Sequence, residues 1–168
     1  MTDRDLIGAF LGKYLPEIAM QLQSVREHLA GHFPRGFELI YDNYNALVFG
    51  FASSQRASDA IVSVAGYPKW VTLFFFQGTR LPDPTGILEG EGAQVRSIRL
   101  QPPARLLEPA VQDLIRAAKD AAGPTLEEAP PLTTIIKSVS ARQRARRPAA
   151  AKKAVGSSRV GREQRRGA

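Results

Sequence analysis

Residues 37–51 read FELIYDNYNALVFGF, and their spacing decides the fold class. Phe37, Leu39 and Tyr41 alternate with Glu38 and Ile40, the turn-forming DNYN occupies 42–45, and ALVFGF returns, so the stretch reads as a β-hairpin. The two-residue period continues downstream. AIVSVAG from Ala60 ends at Gly66-Tyr67-Pro68, and WVTLFFFQ from Trp70 ends at Gly78. AQVRSIRL from Ala93 puts Val95, Ser97 and Arg99 on one side and Arg96, Ile98 and Leu100 on the other. The links between these runs are too short for the crossover helices that parallel neighbours need, so the sheet is expected to be antiparallel with about five strands.

On either side of this β region the period becomes helical. Thr2 and Asp5 have the spacing of a capping box, and Leu6, Phe10 and Tyr14 follow on one face of a short helix. Pro16 suits the first turn of a second helix, whose apolar stripe is Ile18, Leu22, Val25 and Leu29, with Gly31 and Pro34 as the stop. After Gln101-Pro102-Pro103, a third stripe runs through Leu107, Val111, Leu114, Ala118 and Ala121 and ends at Gly123-Pro124. Helices before and after an uninterrupted run of strands predict an α+β fold, the sheet packed by N- and C-terminal helices. Phe74 and Leu114 are expected in its core.

The chain has 168 residues, is 43% hydrophobic and lacks cysteine, which suits one domain without disulfides or thiolate chemistry. Its net charge of +7 is unevenly placed: residues 1–136 carry −3 and residues 137–168 carry +10. The expected organisation is an α+β domain over 1–124, a linker over 125–140 in which TTIIKSVS can add a short strand, and a disordered basic tail over 141–168. Truncation after Ser140 should then leave the melting temperature nearly unchanged. Acidic Asp3 and Asp5 and the absence of a long apolar run point to the cytoplasm.

No catalytic constellation stands out. His28 and His32 have the i, i+4 spacing of a shared metal site, but Leu29 sits where the zinc-hydrolase motif needs Glu, and the chain has only two histidines, so neither a metal site nor a cofactor is expected. Gly90-Glu91-Gly92 begins a dinucleotide-like pattern but precedes a strand and not a helix. Ser53-Ser54 lies outside any nucleophile elbow. The loop GTRLPDPTGILEGEG is stiffened by two prolines about Asp83, and with the apolar strand before it forms a candidate ligand rim of Trp70, Arg80, Asp83 and Arg96, or simply a shaped connection. A sheet face there can also receive a protein edge.

In the tail, Arg142, Arg144, Arg146, Arg147, Lys152, Lys153, Arg159, Arg162, Arg165 and Arg166 are interleaved with Ala, Pro, Gly and Ser. This pattern suits phosphate contacts to nucleic acid or another polyanion without base readout, since no aromatic residue is present to stack; the alternative is a tail that only solubilises.

YNALVFGF, WVTLFFFQGTRLPDPTGILEGEG, VRSIRL and EPAVQDLIRAA together resemble the YdhG-like domains, a bacterial group mostly of unknown function, over roughly residues 16–122. The resemblance implies a compact α+β domain with terminal helices against a sheet. Some members are described as frataxin-like intracellular iron chaperones, which implies an alternative role in binding iron through carboxylates; the corresponding region here offers Glu17 and Glu27, with Glu38 beyond. The leading expectation is a non-enzymatic domain that binds a partner or ligand and carries a polyanion-binding tail.

Overall fold

The computed structural model describes residues 1–149. Helix α1, Asp3–Leu11, starts on the capping box: the Thr2 hydroxyl accepts from Asp5 N–H while the Asp5 carboxylate accepts from Thr2 N–H. Helix α2, Pro16–His32, uses Pro16 at its first position, and buries Ile18, Leu22, Val25 and Leu29, the four residues of the predicted stripe. The strands are β1 Phe37–Asp42, β2 Leu47–Ala52, β3 Ala60–Gly66, β4 Val71–Phe75 and β5 Arg96–Arg99. The last begins three residues later than the alternation suggested, because Ala93 to Val95 belong to the preceding loop.

Helix α3, Pro109–Glu127, starts beyond Leu107, which is exposed instead of joining the stripe. It also continues past the expected stop. Gly123 adopts φ 61°, a left-handed conformation favoured by glycine, and Pro124 opens one more turn that buries Leu126. Residues 133–139 then form β6, Thr133–Val139, so the segment read as a linker contains the end of a helix and a strand.

The sheet has six strands in the order β5-β4-β3-β2-β1-β6. Neighbours from β1 to β5 are antiparallel, whereas β6 lies parallel to β1, with a bulge between Ile40 and Tyr41. The sheet is therefore mixed and not wholly antiparallel; α3 supplies the long return that a parallel partner requires.

All three helices contribute to one core with one sheet face: Ile7 and Phe10 from α1, Leu22 and Leu29 from α2, Val111 and Ile115 from α3, against Phe49, Val64, Leu73 and Phe75. Phe75 is fully buried there, while Phe74, one residue earlier and on the opposite face, is only half-buried, which corrects its expected place in the core. The opposite face carries small residues across its middle, where Gly50 pairs with Ser63 and Ala65 with Thr72. Among the described residues, no helix is long and apolar enough to cross a membrane.

Candidate polyanion interface

The register that turns Phe49 and Phe51 toward the helices also turns Glu38, Ile40 and Asp42 inward, because Glu38 faces Phe51, Ile40 faces Phe49 and Asp42 faces Leu47. Two carboxylates are thus carried into the layer between sheet and helices. Burial of a charge is tolerable only with a partner. Glu38 receives a bidentate pair from Arg26 of α2, at 2.7 and 2.8 Å, and a hydrogen bond from the Thr134 hydroxyl of β6 at 2.8 Å.

Asp42, fully buried at the end of β1, takes its partners from two distant parts of the chain. Lys13 Nζ lies 2.6 Å from Oδ2 and Arg146 Nη2 lies 2.9 Å from Oδ1. Arg146 also donates to the Asn43 carbonyl, and its guanidinium stands over the Tyr14 ring at 5.7 Å. Tyr14 itself is buried, donating to Gly66 O at 2.7 Å and accepting from Leu47 N–H at 2.9 Å. Desolvation pushes its hydroxyl pKa above the usual range. Gly66 suits this seat, since a Cβ there would come within 2.6 Å of Leu22 Cδ2 and crowd the Tyr14 ring at 3.3 Å.

The backbone follows Arg146 onto the domain. Ser140 N–H donates to Asp42 O at 2.9 Å and Arg144 N–H to Tyr44 O at 2.8 Å. Gln143 bridges the same corner, accepting from Lys13 Nζ at 2.9 Å and donating to Asp42 O at 3.1 Å. Residues 140–147 therefore lie along the β1–β2 turn, where the sequence suggested disorder from Ala141. Low apolar content was the reason for that expectation, and a buried ion pair with backbone hydrogen bonds supplies the compensation that composition lacks.

The four described tail arginines consequently have different situations. Arg146 is 4% exposed and cannot offer its charge to a partner outside, which removes it from the set of phosphate-contacting candidates. Arg142, Arg144 and Arg147 are exposed. Arg144 sits over the Tyr44 ring at 5.6 Å, and Arg147 approaches the carbonyls of Gly12 and Lys13 at 3.4 Å. With the half-exposed Lys13 they put several cations at one end of the sheet. Lys152, Lys153, Arg159, Arg162, Arg165 and Arg166 lie outside the described residues. Lys13, Asp42 and Gln143 were not legible as site residues; Asp42 reads in sequence as the first residue of a turn.

The rim proposed from the loop does not come together as one site. Asp83 and Arg96 line a shallow depression with Leu81 and Leu88, but Asp83 accepts from the N–H groups of Ile87 and Leu88, each at 3.0 Å, and Arg96 Nη1 donates to Gly92 O and Val95 O at 2.6 and 2.8 Å. Their polar atoms hold the loop's own shape. Arg80 is exposed beside them. Trp70 lies at the other end of β4, roughly 17 Å away by strand rise, with Arg99 stacked on its ring at 3.8 Å.

Among the described residues, no group of three or more His, Asp or Glu side chains is placed to hold a metal ion. Glu38 is engaged by Arg26, and Glu27 accepts from Gln23 at 2.9 Å. No family model matches the chain, and neither a curated protein nor a solved structure is significantly similar to it.

Proposed function

We propose that the chain is a non-enzymatic cytoplasmic binding module, an α+β domain of YdhG-like type whose basic C-terminal segment binds nucleic acid or a similar polyanion through its phosphates. The observation that carries this reading is the division of labour within the segment: Arg146 is committed to the interior with Asp42, while Arg142, Arg144 and Arg147 remain at the surface. A merely solubilising tail needs no attachment point. An anchored one leaves the domain from a fixed corner beside Lys13.

The contacts are electrostatic. Arginine forks suit phosphate oxygens, and the segment has no aromatic side chain for base stacking, so binding should be indifferent to base sequence. If about six cations neutralise duplex phosphates, log K against log salt should have a slope of about −5. Truncation after Ala149 tests the reading, because it removes six basic residues and keeps the anchored segment. Duplex binding should fall steeply while the melting temperature stays unchanged; undiminished binding would refute the proposal.

A further inference from the structure

His28 and His32 stand on consecutive turns of α2, with ring centroids 5.0 Å apart. Across the helix pair, α3 presents Gln112, and both imidazoles direct Nε2 at the same oxygen: His28 at 2.9 Å and His32 at 3.3 Å from Gln112 Oε1. The amide is oriented by its other end, since Gln112 Nε2 donates to Leu106 O at 2.7 Å. Oε1 must therefore face the histidines and accept an N–H from each.

These separations have a second meaning. With metal–ligand bonds of about 2.0–2.2 Å, ligand atoms on neighbouring vertices lie about 3.0 Å apart in an octahedral site and about 3.4 Å apart in a tetrahedral one. The two N···O distances fall at or within a tenth of an ångström of that interval. With each ring's proton moved from Nε2 to Nδ1, so that Nε2 presents its lone pair, a cation in place of the two hydrogen bonds needs only small movements of three partly buried side chains.

We propose that His28 Nε2, His32 Nε2 and Gln112 Oε1 form a three-ligand site for a borderline divalent transition metal such as Zn²⁺ or Ni²⁺, completed by solvent. The two imidazole nitrogens suit this class better than they suit soft or alkaline-earth ions, and the amide oxygen adds one harder donor. The Leu106 carbonyl acts as the outer support that keeps the amide oxygen aimed inward. Burial, the largest cause, holds His32 below the usual imidazole pKa; its hydrogen bond with Gln112 opposes this, and His28 and the α3 cations Lys119 and Arg116 act with burial. Those two cations also oppose a bound metal. Arg116 is itself paired with Asp113 at 2.7 Å, which moderates its share.

The test is calorimetric titration of the chelator-stripped full chain with ZnCl₂ and NiCl₂ at neutral pH, alongside His28→Ala and Gln112→Ala. One metal should bind per chain, His28→Ala should abolish saturable uptake, and Gln112→Ala should weaken it by about tenfold or more. Because the ligands join α2 to α3, excess metal should raise the melting temperature, reversibly with EDTA, and His28→Ala should lose that rise while still melting cooperatively. Affinity should fall on acidification, when protons compete with the metal for the ligand nitrogens. Absence of saturable binding, or uptake unaffected by His28→Ala, would overturn the site. Uptake unaffected by Gln112→Ala would overturn its three-ligand form.

Discussion

Glu38 and Asp42 lie on the same face of the same strand, four positions apart, and are both buried, yet they are held in different ways. Glu38 belongs to the domain's own interior: its bidentate partner Arg26 is only twelve residues away, and Thr134 completes its bonding. Asp42 is divided between Lys13 and Arg146, and the latter comes from 104 residues downstream. Buried Nε and Nη1 of Arg146 have no partner among the described residues, so this guanidinium is less well compensated than that of Arg26. One pair cements the fold, and the other fastens an appendage to it.

Graded substitutions can break or sharpen the contrast. Arg26→Ala should have the largest effect, about 3–5 kcal/mol in chemical denaturation, because it strands a buried carboxylate. A loss below about 1 kcal/mol would show that Glu38 is not dependent on its pair. Arg146→Ala should cost less, about 1–3 kcal/mol, since Asp42 keeps Lys13 and the unsatisfied guanidinium atoms disappear as well. Truncation after Ser140 should lower the melting temperature at least as much as Arg146→Ala, contrary to the expectation from composition. Lys13→Ala should cost about 1 kcal/mol or less, because its side chain is 38% exposed and solvent screens it. Arg116→Ala, which breaks only an exposed pair on α3, should change stability by about 0.3 kcal/mol and serves as the baseline.

Much of the fold was legible. Alternation located five strands, and Pro16, Gly66 and Gly78 marked boundaries at or near where they fall. Alternation says which residues share a face but not which face the helices cover. The Phe37, Leu39 and Tyr41 side looks the more apolar, yet the helices cover the side of Glu38, Ile40 and Asp42, because the two acids have cationic partners brought in from elsewhere. β6 was readable only as an optional strand, since its parallel place beside β1 depends on the return through α3. Arg146 resembled its neighbours in composition, and only the position of Asp42 distinguishes it. For the same reason the meeting of both histidine rings with the Gln112 amide oxygen, 84 residues beyond His28, was not legible.

The central claim, that Arg146 anchors while neighbouring arginines contact phosphate, is tested most directly by the salt dependence of duplex DNA binding. The full chain should be compared with an Arg144→Ala, Arg147→Ala double variant and with Arg146→Ala, at a temperature where all are folded. The double variant should flatten the slope of log K against log salt by about 1.8, at 0.9 per phosphate contact, with little change in melting temperature. Arg146→Ala should lower the melting temperature and leave the slope unchanged. A flattened slope with an unchanged melting temperature for Arg146→Ala would contradict the account, because it would place that guanidinium on the nucleic acid and not on Asp42.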